Sequence, residues 1–448
     1  MRRSSAVLIC VLILAAGCNL TPAYQRPGVP QPASWPQADT SSVSVSDTWW
    51  RDFGSPALDA LEEAALAANQ DLAAGVQRIA QARAVAASAG AAVWPQMDAT
   101  LAATQTHGKS STAANGSRRT AQLSVAYELD LFGRVAATRQ AAEQRLSASE
   151  FDYQALRLVT VADVAQAAFN FAATGQRLAL AQANLDNARA VLALLEAQFA
   201  AGRVAALERD QQRAAVATIE ASVAALAQTQ AGYRNQLAVL SGAASPEFAP
   251  PDLAWDGLIL PEVLPSVPAA LLTQRPDLRR AEAELQAAGA DIGVARAALY
   301  PGLQVSWDRS WMRDPTATLT TLSGSALAPI FHGGALRSEV MRSQARQAEL
   351  VAQYRGAVLT AYGEVSDALE AQRQSALRGA ALERAVTAAR DAYTSARARF
   401  DAGAVDYQIL LDVQRSQILA EDAAASGRLD CFTAAIALYR ALGGGSLP

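Results

Sequence analysis

Cysteine is scarce in this chain, and its placement sharpens the scarcity. Of three among 448 residues, Cys10 and Cys18 fall at the N-terminus and Cys431 stands alone far downstream. That spacing gives no disulfide framework, and Cys431 reads as a small buried apolar residue in a helix. Histidine is scarcer still. His107 and His332 lie in separate loops, with no second ligand at metal spacing. There is no Gly-x-Ser-x-Gly elbow and no phosphate-binding loop, so neither an enzyme nor a bound cofactor or metal is expected. Excess positive charge is missing too. Lys and Arg total 38 against 42 Asp and Glu, a net charge of −4, which gives no reason to expect a nucleic-acid partner.

Two further absences shape the fold. Beyond the N-terminus no run approaches the roughly 20 apolar residues of a membrane-spanning helix, so a membrane role must rest on strands or on a lipid. Proline is absent between Pro95 and Pro246 and again from 330 to 447. A proline inside a helix costs about 3 kcal/mol, so its exclusion from these alanine-rich stretches predicts very long helices. One is expected over 134 to about 200, roughly 100 Å at 1.5 Å per residue. A partner over 205–240 returns along it, and a second such pair fills the second proline-free span. Alanine on the packing faces allows close approach, as in a coiled coil with small knobs.

What is present begins with a leader over 1–17. Arg2 and Arg3 form a basic start, and the apolar core over 6–16 is too short to span a bilayer. It closes on Leu14-Ala15-Ala16-Gly17-Cys18. Small residues before a cysteine read as a bacterial lipobox with Cys18 as the lipidated residue, although Ala15 stands where leucine is usual. An acyl anchor would hold the chain at a bilayer without a helix. Asn19, rather than aspartate, follows, which in lipoproteins of this type implies the outer membrane. Residues 18–55 read as a strap rich in proline (Pro22, Pro27, Pro30, Pro32, Pro36) that ends by docking Trp49, Trp50 and Phe53.

The remainder divides into two like halves, 56–242 and 269–444, separated by a proline-rich linker over 243–268. Each half has the order helix, two strands, long helix, long helix. Strands are expected at about 95–107 and 119–132, then at about 301–313 and 318–331. In the clearest of them Leu123, Val125, Tyr127, Leu129 and Leu131 face one way, while Gln122, Ser124, Ala126, Glu128 and Asp130 face the other. One apolar face and one polar face suit a membrane barrel. Trp94-Pro95 and Tyr300-Pro301 stop the helices before the strands. The aromatic residues Trp94, Tyr300, Trp307 and Trp311 suit a membrane-interface belt, with Trp94 and Tyr300 equally suited to packing at a helix–strand junction. Pro56 and Pro276 open helices at their first turn. A stripe from Leu58 to Val85 predicts one helix reaching about 93.

The two long hairpins turn alike, at Phe199-Ala200-Ala201-Gly202 and at Phe400-Asp401-Ala402-Gly403, with Asp406 placed to cap the helix that follows. Four strands cannot close a barrel, for which about eight are the minimum, and open edges are not tolerated in lipid. Several chains must therefore pool their strands, and the tips of the long hairpins would form the closed end of a tube.

At this point specific motifs add to the pattern. Tyr127-Glu128-Leu129-Asp130-Leu131-Phe132-Gly133-Arg134, Arg275-Pro276-Asp277 with Ala281-Glu282, Ala295-Arg296-Ala297, and Leu410-Leu411-Asp412-Val413-Gln414-Arg415 resemble the outer-membrane efflux proteins. The start Gly17-Cys18 with Pro22, Tyr24 and Pro27 is similar to the lipoprotein branch that serves resistance-nodulation-division pumps. The resemblance implies an α+β membrane protein, internally duplicated, with a long α-helical periplasmic barrel. Four transmembrane β-strands per chain contribute to a trimeric 12-stranded β-barrel. The implied partners are two further copies of the chain, a periplasmic membrane-fusion adaptor, an inner-membrane pump and outer-membrane lipid. The implied periplasmic gate comprises Asp412 in an acidic ring, Asp210 as its weaker counterpart in the first turn, and Arg399 in the closing links. Phe400 replaces a common tyrosine, which removes a hydroxyl there, and Gln408 replaces a common leucine, which puts a hydrophobic ring at that level in question. Asp412 could equally be an ordinary solvated acid, and Arg399 an ordinary surface cation. Two alternatives stand beside the efflux duct: the duct of a type I secretion system, and a non-conducting trimeric coiled-coil lipoprotein.

Overall fold

Where proline is excluded, helix runs unbroken. In the computed structural model, which describes residues 19–35, 45–106, 116–263, 265, 268–313 and 316–445, helix α1 spans Pro56–Ala68 and α2 spans Gln70–Ala91. Helices α3 (Arg134–Ala200) and α4 (Ala206–Leu240) follow, then α5 (Pro276–Ala297), α6 (Ala335–Asp401) and α7 (Tyr407–Ala441). The long pairs repeat in length: α3 and α6 each have 67 residues, α4 and α7 each have 35.

The helix expected from 56 to about 93 is two helices. Asn69 breaks it with an extended ψ of 127°. Its Oδ1 accepts from the amides of Asp71 and Leu72, and its Nδ2 donates to the carbonyl of Leu240 at 2.9 Å. The side chain thus competes with the helical ladder and starts a new helix. At the first start, Ser55 caps α1 by accepting from the amide of Leu58, with Pro56 in the first turn.

The strands β1 (Gln96–Thr106), β2 (Gly116–Leu129), β3 (Gly302–Arg313) and β4 (Ala317–Leu327) form one antiparallel sheet in the order β1-β2-β3-β4. The halves therefore meet through β2 and β3, whose register pairs Val125 with Trp307. The strand ends differ from expectation. β2 stops at Leu129, because the amide of Leu131 turns back to the carbonyl of Leu129, and β4 stops at Leu327. Tyr300 stacks on Phe132 at 4.7 Å between ring centres, whereas Trp94 is 72% exposed. Four strands with one apolar face have no use in a pure coiled coil, which removes that alternative. Cys10, Cys18 and His107 lie outside the described residues.

The chain divides into two compact units. One comprises 1–29, 77–152 and 277–357 and holds the sheet; the other comprises 30–76, 153–276 and 358–448. In the first, the strap is pinned along α5. Tyr24 and Arg26 both donate to the Glu282 carboxylate at 2.8–2.9 Å, and Arg296 donates to the carbonyl of Leu20. In the second, Trp49, Phe53, Phe169, Trp255, Phe432 and Tyr439 form an aromatic core with neighbouring ring centres 4.8–6.4 Å apart. Trp255 comes from the linker over 243–268, so that segment is anchored in the core as well as joining the halves. Cys431 is half-buried beside Gly379, not fully buried.

Candidate functional site

Both hairpin turns close by the same bonds. The amide of Gly202 donates to Phe199 and that of Arg203 to Gln198; the amide of Gly403 donates to Phe400 and that of Ala404 to Arg399. This is a Schellman cap, with the glycines at φ +69° and +71°, where a side chain would be strained. Asp406 occupies the N-cap position of α7, but its side chain makes no capping bond.

The turns lie side by side. Val191 and Leu195 of α3, Ala396 of α6, and Tyr407, Leu410 and Leu411 of α7 form one buried cluster, with Val204 and Phe400 packed against it. The Phe400 ring meets the Tyr407 ring edge-on at 6.3 Å. The Tyr407 hydroxyl donates to Gln212 Oε1 at 2.5 Å, and Gln212 Nε2 donates to the carbonyl of Ala188 at 2.7 Å. The Tyr407 hydroxyl is thus buried between the hairpins. It joins α7, α4 and α3 through one buried amide. Burial pushes the Tyr407 phenol up to about 12, with Arg415 opposing. The pairing of Gln212 with a residue 195 positions away has no local signal in the sequence.

Of the expected gate residues, Phe400 packs against this cluster, whereas Asp210, Arg399, Gln408 and Asp412 are exposed. Gln408 and Asp412 are exposed on α7 one turn apart, with Gln408 Nε2 donating to Asp412 Oδ1 at 3.2 Å. Arg415 and Leu419 extend the same exposed stripe, beside the buried row of Tyr407, Leu411 and Gln414. Arg399 is exposed and makes no ion pair with a described residue. Asp210 is engaged within its own hairpin, with Arg209 Nε at 2.8 Å and Arg213 Nη1 at 3.8 Å. The Arg209 hydrogen bond holds its carboxyl below the usual carboxylate range, with burial opposing and the Arg209 and Arg213 charges adding to the effect. Arg209 itself lies 4.3 Å over the Phe199 ring. Counted from the two glycines, Asp412 is nine residues on and Asp210 eight. The two acids are therefore about 100° apart in helical phase, and Gln211 holds the place corresponding to Asp412. Within one chain the turns leave Asp412, Gln408 and Arg399 facing outward and keep Asp210 locally neutralised.

Comparisons with known proteins agree with this architecture. A family model described as outer membrane efflux protein matches residues 61–243 and 267–444. The pyoverdine export outer membrane protein OpmQ of Pseudomonas aeruginosa is 36% identical, over 99% of this chain and 98% of that protein. The outer membrane protein OprJ of the same organism is 32% identical, over 98% and 95%. Among solved structures, the open state of the Neisseria gonorrhoeae MtrE outer membrane channel superposes with a TM-score of 0.87 at 28% identity, covering 96% of this chain and 98% of that one.

Proposed function

Because the chain belongs to the outer membrane efflux protein family, we propose that three copies form the exit duct of a tripartite efflux system. The protein is an outer-membrane channel that passes small molecules onward without chemistry of its own. The observation that carries the trimer is the sheet. Its two outer strands, β1 and β4, have no further strand beside them among the described residues. One of its faces is apolar, and the other carries Asp98, Glu128 and Asp308, with Gln122 donating to Asp308 at 3.1 Å. A lipid-facing side and a wet side with two open edges require closure by further copies. Four strands from each of three chains give twelve, above the roughly eight that close a barrel.

A periplasmic membrane-fusion adaptor and an inner-membrane pump complete the system, and Asp412, Gln408 and Arg399 at the hairpin tips form the gate that they open. The relatives' names refer to export and efflux, which favours a pump over a type I secretion system. An acyl anchor at Cys18 fits a strap whose next residues are held down by Glu282 and Arg296. Conductance of the purified protein in planar bilayers tests the duct, with steps of one size expected and covalent cross-linking stopping at the trimer. Silence at every voltage, or cross-linked ladders that stop at dimers, sinks this reading. Loss of palmitate incorporation in Cys18→Ser tests the anchor separately.

A further inference from the structure

The apolar face of the sheet ends in arginine. Register sets Arg119 of β2 directly opposite Arg313 of β3, so both guanidinium groups leave the sheet on the same side. Leu123, Val125, Tyr127 and Leu129 share that side with Leu303, Val305 and Trp307, and no Asp or Glu occupies it among the described strand residues. Neither arginine is ion-paired with a described residue. Like charges directly opposite across a strand pair repel. Arginine on a lipid-facing surface is tolerated only near the bilayer surface.

Depth supports that location. Leu129 lies ten residues from Arg119 along β2. Ten residues of strand measure about 33 Å, or roughly 25 Å of depth at a barrel strand's tilt, the height of a barrel's apolar band. The long helices leave the sheet at the Leu129 end, so the arginine pair stands at the opposite headgroup layer. A groove of about 430 Å³ opens beside it. Leu101, Ala121 and Trp311 form one row across three strands, and Ala103, Arg119 and Arg313 form the next. The alanines make a floor between two walls, Leu101 being 86% exposed and Trp311 41%. Arg309, one row deeper, rests its guanidinium 5.2 Å from the centre of the Trp311 ring, which carries its charge toward the same rim.

We propose that this corner of the sheet binds an outer-leaflet glycolipid through its sugar phosphates, with an acyl chain lying in the Leu101–Trp311 trough. Opposed guanidinium groups match phosphate oxygens with paired donors, and the bound anion relieves their repulsion. The inference rests on the sheet crossing the outer membrane.

The test uses the full-length protein in detergent, mixed with diphosphorylated lipid A, its dephosphorylated form, or inorganic pyrophosphate, with bound lipid counted by native mass spectrometry. Diphosphorylated lipid should be retained about tenfold over the dephosphorylated form. Arg119→Gln with Arg313→Gln should erase that preference, while the paired lysine substitutions should keep part of it. Arg118→Gln, on the opposite face, should leave it unchanged. If the double variant does not assemble, Arg313→Gln alone should lower the preference by about threefold. Equal retention of both lipids overturns the proposal, as does a preference that survives both glutamines. Displacement of the lipid by equimolar pyrophosphate also overturns it, since the site would then be one for soluble anions. Bilayer conductance keeps the two readings apart: a conducting protein without lipid preference loses this site only, whereas a silent one loses the duct.

Discussion

Glu62 is fully buried in α1, and neither carboxylate oxygen has a hydrogen-bond partner among the described residues. Burial pushes its pKa well up, with Arg157 opposing and Asp59 adding to the rise. The folded chain therefore keeps a proton that the unfolded chain releases above about pH 4. Unfolded protein binds fewer protons there, so stability falls as pH rises from about 4 toward the folded-state value. Glu62→Gln should remove that fall and add roughly 1 kcal/mol or more at neutral pH. Thermal melts at pH 5 and 7.5 check it, and an unchanged pH dependence rules it out. At the turns, Tyr407→Phe strands Gln212 Oε1 in a buried site, and a loss of about 1–3 kcal/mol is expected. If melting of that variant matches the parent, the bond from α7 to α4 contributes nothing. Asp412, Gln408 and Arg399 were named from motifs that resemble a family, and the fold adds that all three are exposed beside the turns. Tyr407 and Gln212 were not legible as a pair, because their partnership is created only when two distant hairpins pack.

Among elements, the most legible feature was helix length, since the absence of proline is a direct statement about what the backbone must do. The break at Asn69 was hidden because asparagine is only mildly unfavourable inside a helix, and the bond from its Nδ2 to Leu240 needs α4 in place. Strand ends slipped by a few residues because apolar alternation continues through Leu131 after the chain has already turned. The duplication repeats at the ends of both halves, where Gly242 and Gly443 close α4 and α7 with the same pair of bonds as the hairpin turns. These glycines differ in what surrounds them. A Cβ at Gly202 would meet nothing, whereas one at Gly242 would lie 2.3 Å from the carbonyl oxygen of Ala68. Gly202→Ala should therefore cost only the left-handed backbone penalty, about 1–2 kcal/mol. Gly242→Ala should cost about 3 kcal/mol or more, because packed backbone must also move. Equal melting of the two variants would remove close approach as the reason for glycine at 242.

At the scale of the assembled molecule, symmetry converts single residues into rings. In the proposed trimer one Asp412 per chain would become three around an axis, without an ion pair to a described residue, while each Asp210 stays neutralised by Arg209 and Arg213. In that arrangement three carboxylates around a narrow water-filled passage would favour cations and repel one another, an effect that dilute salt enlarges. Arg399, without an ion pair to a described residue of its own chain, is free to bond a neighbouring chain and tie adjacent turns together. Asp412→Ala should then lower cation preference and raise single-channel conductance about twofold or more at low salt, with the difference shrinking toward 1 M. Arg399→Ala should raise conductance without changing selectivity, because it loosens a link and leaves the ring in place. Asp210→Ala should change conductance less than Asp412→Ala, because Asp210 sits about 100° away in helical phase, although it leaves Arg209 and Arg213 without that acid. Planar-bilayer recordings across salt concentrations check all three. A large change in Asp210→Ala with none in Asp412→Ala would transfer the gate to the first hairpin. Unchanged conductance in both Asp412→Ala and Arg399→Ala would remove the paired turns as the constriction.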